Sequence, residues 1–235
     1  MASEWSEGMS SEATSGQAGA NVGALINAAQ QGDLEAARAL LEADPALAGA
    51  RDPDGQSPMM AAIYGSHPEI VALLRERGAT TTIFEAAALG DIPALSAALA
   101  QDPAAVRAYS ADGWTALHLA AHFGQIEAAR ALLAAGANVT AHSWNGLDNE
   151  PIHAAAANKG NAAMVAALLD AGAQVNARQH GGFTPLHQAA QNGDAELATL
   201  LLSRGARRSL VTDKDLTACD LAEEAGHQEL ADKLS

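Results

Sequence analysis

Laid over itself with a shift of 58 residues, the chain matches, and such a period dictates architecture more firmly than any local propensity. The segment INAAQQGDLEAARALLEADPALAGARDPDG from Ile26 falls on FEAAALGDIPALSAALAQDPAAVRAYSADG from Phe84. This pairs Gly32 with Gly90, Asp33 with Asp91, Asp44-Pro45 with Asp102-Pro103, and Asp54-Gly55 with Asp112-Gly113. The shift is two units of about 29 residues. The unit continues as GWTALHLAAHFGQIEAARALLAAGANV from Gly113, EPIHAAAANKGNAAMVAALLDAGAQVNA from Glu150 and GFTPLHQAAQNGDAELATLLLSRGA from Gly182. Such a chain stacks copies of one small motif, so its length sets the number of copies rather than the size of a single core.

Each copy reads as an antiparallel pair of helices. Thr184 or Ser57 supplies an N-cap, and Pro185 or Pro58 follows at the first helical position, where a missing N–H costs nothing. The first helix stops at Gly32, Gly124 or Gly193, because glycine takes the left-handed conformation that closes a helix. Asp33, Asp91 or Asp194 then caps a second helix, which ends at a Gly-Ala such as Gly136-Ala137 or Gly205-Ala206 before a turn of the Asp54-Gly55 kind. A quarter of the residues are alanine and only 3 % are aromatic. Small residues at Ala28-Ala29, Ala86-Ala87, Ala120-Ala121 and Ala189-Ala190 let thin helices pack closely.

These units resemble ankyrin repeats, whose pattern is G-x-T-P-L-H-x-A-A-x-x-G followed by an acidic start to L-L-x-x-G-A and a β-turn. The resemblance implies an all-α, ankyrin-repeat helical solenoid of seven helix-turn-helix units with β-hairpin-like turns. The units are expected near 22–51, 52–79, 80–110, 111–141, 142–177, 178–210 and 211–235, behind a disordered tail over 1–21 that holds Trp5. Units one and three lack Thr-Pro-Leu-His and replace Gly-Ala with Asp-Pro, so altered turns are expected there. Unit five carries extra residues in the loop Leu147 to Glu150. Unit seven places Glu, Asp and Lys where inner units have Ala and Leu, the polar outer face of a C-terminal cap.

Charge narrows the partners. With 13 Lys+Arg against 28 Asp+Glu the formal charge is -15, which argues against nucleic acid and against an anionic membrane surface. No stretch approaches the length of a membrane helix, and the first 21 residues have neither a basic start nor an apolar core. The one cysteine requires no oxidising compartment, and a cytoplasmic location is expected.

Searching for chemistry yields little. There is no G-x-S-x-G, no Walker-type loop and no dinucleotide fingerprint, so no enzyme is expected. Cys219 stands where other units have Leu117, Ile152 and Leu186, and reads as a small buried residue rather than a nucleophile. The resemblance makes His118, His153 and His187 structural hydrogen-bonding groups, and His67 and His227 junction residues. His118 and His122 have the i, i+4 spacing of a metal pair, but the Glu of a zinc-hydrolase helix is absent; no metal and no cofactor are expected.

The resemblance implies a non-enzymatic module that binds a partner protein through a concave surface of turn tips and first helices. The residues that fill positions the repeat leaves free are mostly aromatic: Tyr109, Trp114, Trp144 and Phe183 in turns, Tyr64 and Phe123 at the ends of first helices. Equivalent positions in stacked helices lie about 8 to 10 Å apart, so Trp114, Trp144 and Phe183 are expected to form a row, with His122, His142 and His180 beside it. Asp148, in the irregular loop, completes the candidate site. The charge calls for a partner with basic surface, and a monomer is expected. Two alternatives stand: a ligand- or metal-binding groove, or regulatory subunit, using His122, His142, His180 and Asp148; and self-association. Replacing Trp114 and Trp144 together by Ala is expected to weaken binding by about 2 kcal/mol or more.

Overall fold

The computed structural model describes Gly19 and residues 21–235. The tail expected over 1–21, Trp5 included, lies outside the described residues except at its end, where Gly19 and Asn21 are helical. Contacts divide the chain into two compact units, with the boundary between Thr81 and Thr82. The first unit holds α1 (21–31), α2 (Leu34–Ala43), α3 (Pro58–Tyr64) and α4 (Pro68–Glu76). The second holds five helix pairs: α5 (Ile83–Leu89) with α6 (Ile92–Gln101), α7 (Ala116–His122) with α8 (Ile126–Ala134), α9 (Pro151–Ala156) with α10 (Ala162–Asp170), α11 (Pro185–Gln191) with α12 (Ala195–Ser203), and α13 (Ala218–Glu224) with α14 (Gln228–Leu234).

Short-range chemistry accounts for these boundaries. The side chains of Asp33, Asp91 and Asp194 accept from the amides of Ala36, Ala94 and Leu197, satisfying donors that a helix start leaves orphaned. Ser57, Thr115, Thr184 and Thr217 do the same for first helices. The two Asp-Pro departures build a different connection. Asp44 and Asp102 cap the 3-10 turns Pro45–Gly49 and Pro103–Arg107, each with proline preset at the first position. A carboxylate that accepts from the amide two residues on, followed by a fixed proline φ, favours a tight turn over the left-handed glycine exit of the other repeats.

In the second unit first helices stack on first helices, and the contact layer is alanine. Ala86, Ala87, Ala120, Ala121, Ala155, Ala156, Ala189 and Ala190 are all fully buried, as are Leu132, Leu168 and Leu201 on the second helices behind them. Phe84 lies partly buried against this core. The turns are not strands; among the described residues only one bridge, Tyr109 to Thr115, has β character. Four turns are closed by an amide that donates to a carbonyl four residues on: Asp52 to Gln56, Ser110 to Trp114, Gln179 to Phe183 and Thr212 to Leu216. In the irregular repeat, Ser143 reaches Asn149 instead, six residues on. The two extra residues are therefore confined to the loop tip. No helix among the described residues is long and apolar enough to cross a membrane.

Candidate functional site

The histidines of the Leu-His position explain how turns and helices are tied together. The amides of Thr115, Glu150 and Thr184 donate to Nδ1 of His118, His153 and His187 at 3.3, 3.1 and 3.0 Å. That occupies Nδ1 as an acceptor, so Nε2 carries the proton. Each Nε2 then donates to a carbonyl of the next turn, Asn149, Ala177 or Leu210, at 2.9 to 3.0 Å. Burial holds the imidazoles of His118 and His153 neutral, lowering both to about 4, and it lowers His187 as well. Glu85 and Asp220 stand at the same position in α5 and α13, and there accept from the amides of Thr82 and Thr217.

Turn tips are also joined directly. The amide of Trp144 donates to Gly113, that of His180 to Leu147, and that of Asp213 to Gly181, each at 2.9 Å. On this frame the irregular loop closes on itself. Ser143 Oγ donates to Asn145 Oδ1, the Leu147 amide donates to Asn145 Oδ1, and the Asn149 amide donates to Ser143 Oγ. Asp148 adopts a left-handed φ of 49°, which aspartate tolerates better than most residues. Its carboxylate lies 2.9 Å from His142 Nδ1, and the other ring nitrogen lies 3.7 Å from Glu150. Glu150 is buried, and burial pushes its carboxyl up; His142 pulls it down and Asp148 raises it again.

The aromatic residues divide into two kinds. Trp114 is buried, its ring tilted on His118 at 6.0 Å and edge-on to His122 at 5.1 Å. Phe183 holds the equivalent position and packs on His187 at 5.8 Å. Both point into the repeat because the shared spacing, Trp114-Thr115 to His118 and Phe183-Thr184 to His187, sets the ring over its own imidazole. Trp144 occupies a loop tip instead, 74 % exposed, with one face stacked on Tyr109 at 4.0 Å and 13°. The three rings expected as one row therefore have two different environments, and Trp114 presents little surface to a partner. Leu147, 48 % exposed, shares the Trp144 loop.

The remaining candidates are spread out. His122 is half-buried, edge-on to Phe123 at 4.9 Å, and its carbonyl accepts from Asn158; burial lowers its imidazole. His180 is exposed in the 3-10 turn His180–Gly182. Tyr64 is exposed and belongs to the first unit. Among the described residues no group of three His, Cys, Asp or Glu could hold a metal, and both ring nitrogens of His118 are engaged in the ladder. Cys219 is half-buried with its thiol 3.4 Å from the Ala231 carbonyl, and desolvation followed by Glu223, Asp220 and Asp232 pushes it up. Structure brings together Tyr109, His142, Trp144 and Asp148, and adds Leu147 and Glu150. The signal for these two was in the sequence: both lie in the insertion that follows the Trp144 turn position.

Gly113 links this loop to the preceding turn. Its φ is 76°, and a Cβ there would lie 2.9 Å from the Asn145 amide nitrogen and 3.0 Å from the Trp144 carbonyl carbon. Neither is a flexible side-chain end. Gly113→Ala is expected to cost about 2 kcal/mol and to break the Trp144 to Gly113 hydrogen bond. Denaturant melts and the Trp144 indole resonance check both parts; an unshifted resonance would show that the two turns are not coupled.

The turns, caps and alanine contacts define a class, the ankyrin-repeat proteins, and this chain belongs to it. Family models described as "Ankyrin repeats (3 copies)", "Ankyrin repeat" and "Ankyrin repeats (many copies)" match residues 11–85, 112–144 and 152–202. Among curated proteins, the chain is similar to the probable E3 ubiquitin-protein ligase XBOS32 of Oryza sativa subsp. japonica, 34 % identical over 84 % of this chain and 40 % of the relative. It is similar to the E3 ubiquitin-protein ligase XBAT32 of Arabidopsis thaliana, 33 % identical over 84 % of this chain and 39 % of the relative. The tyrosine-protein kinase Shark of Drosophila melanogaster is 37 % identical over 49 % of this chain and 12 % of its own length. The chain thus spans about two fifths of the length of the ligases it matches. The expectation of no enzyme is overturned by this finding, since these relatives are named ligases and ligases are enzymes. The absence of catalytic motifs therefore does not exclude an enzymatic activity.

Proposed function

We propose that this chain recognises a partner protein that carries basic surface, through the tip formed by Tyr109, His142, Trp144, Leu147 and Asp148. The observation that carries the reading is the exposure of Trp144 and Leu147 in one self-closed loop, in a chain that buries almost every other large apolar side chain described. Preorganisation by Ser143, Asn145 and the Gly113 carbonyl lowers the ordering cost that a flexible loop would meet on binding. The ligases and the kinase carry different named activities, and what they share with this chain is the repeat stretch, which favours recognition as its contribution. A charge of -15 gives encounter with a basic partner a salt-sensitive rate.

The test is affinity capture from the source cell with the double variant Trp144→Ala, Leu147→Ser as control. Because Trp114 is buried, its replacement would perturb folding, so the informative pair is Trp144 with Leu147. Loss of the captured partner by a factor corresponding to about 2 kcal/mol or more, with an unchanged melting curve, is the expected result. Equal capture by the variant refutes this location. Sedimentation at two concentrations tests the monomer that the reading assumes.

A further inference from the structure

Among the described residues, Trp144 is the most exposed aromatic side chain, and its loop carries an open carboxylate. The indole lies parallel to the Tyr109 ring, so one face is covered and the other is left to solvent. Asp148 stands in the same loop with its side chain 68 % exposed, and one of its oxygens is already committed to His142. Asp112 lies in the turn that carries Tyr109, two residues ahead of Trp114. Between Arg107 and Lys159 the only Lys or Arg is Arg130, which sits on the second helix α8 and is paired with Glu127 at 2.8 Å. A flat, electron-rich face in a loop that also carries an open carboxylate, on a chain of net charge -15, has a complementary ligand in elementary chemistry.

Resting on the reading above, we infer that the Tyr109–Trp144 platform takes an arginine side chain of the partner, its guanidinium stacked on the free indole face and hydrogen-bonded to Asp148. Arginine fits better than lysine for two reasons. Its planar guanidinium stacks on an aromatic ring while still presenting edge N–H groups to a carboxylate, and it is more weakly hydrated than an ammonium, so less is lost on leaving water. The carboxylate–guanidinium contact is charge-assisted and directional, which fixes the register of the segment that brings the arginine.

The experiment is a titration of the full ¹⁵N-labelled chain with a capped Gly-Arg-Gly-Arg-Gly peptide, reading the tryptophan indole resonances, with Trp144 assigned from Trp144→Phe. The lysine and citrulline versions of the peptide are run alongside. The expected result is a saturable shift of the Trp144 indole, at least tenfold weaker with citrulline and weaker with lysine, while the buried Trp114 indole stays in place. Asp148→Asn should reduce the arginine affinity severalfold, and added salt should reduce it further. An equal response to citrulline, an equal response to lysine, or no response at Trp144 overturns the inference. These outcomes are separable from failure of the broader reading, because capture that depends on Trp144 and Leu147 would persist with a partner anchored by other chemistry.

Discussion

Acidification from about pH 7 to about pH 5 is expected to destabilise the unit from Thr82 onward by about 3 to 4 kcal/mol. The cause is His118 and His153, whose imidazoles are held at about 4 in the fold against an ordinary value of 6.5. A buried neutral ring binds its proton only at lower pH than the same ring in the unfolded chain. Its stabilising contribution is therefore complete above pH 6.5, falls as the pH drops below that, and is gone near pH 4. Each ring contributes about 2 kcal/mol of this loss by pH 5. His122 and His187 are lowered in the same direction, while Glu150, raised by burial, opposes them. Four imidazoles against one carboxyl leave the sign unchanged.

The geometry gives the loss a structural meaning. A proton on Nδ1 of His118 would meet the Thr115 amide, a donor facing a donor, and the tie to the next turn would be strained at once. Denaturant melts at the two pH values measure the size of the effect. Histidine ring resonances test the assignment: two rings should stay untitrated until well below pH 6, and rings titrating near 6.5 at these positions would refute it.

Ile152→Ala is expected to cost about 3 to 4 kcal/mol. Ile152 is fully buried in α9, which packs between α7 and α11. Its neighbours in that layer include Ala120, Ala121, Ala155, Ala189 and Ala190, which have no rotamers with which to fill a vacated volume. The cavity would persist, and the cost should sit well above that of the transfer term alone. Ile152→Val provides a graded control at about 1 kcal/mol. A loss under about 1 kcal/mol for the alanine variant would mean that helices α7 and α11 close the gap, contrary to a core set by backbone contact. The contrast with Trp144→Ala is instructive: the larger side chain should cost the fold little, because most of its surface is already in water.

Much of this protein is written in short-range relations. Caps such as Asp194 to Leu197, and the Thr115 to His118 pairing, span three residues, so they are readable wherever their spacing occurs. The Asp-Pro departures were recognisable as altered turns, although the 3-10 geometry came only with the fold. The site was less legible. Trp114 and Trp144 are both turn tryptophans in the sequence, and only the Thr115-to-His118 spacing behind Trp114 separates them locally.

What the sequence alone determined is the repeat, its helix boundaries, its all-α class and its acidic balance. Tertiary structure decided which aromatic faces are open. The environment of Trp144 depends on Tyr109, which the preceding repeat places against it, beyond any local pattern. Trp114 packs on the imidazoles of its own helix and sinks, while Trp144, at a turn tip ahead of the insertion, stacks on Tyr109 and leaves one face to water.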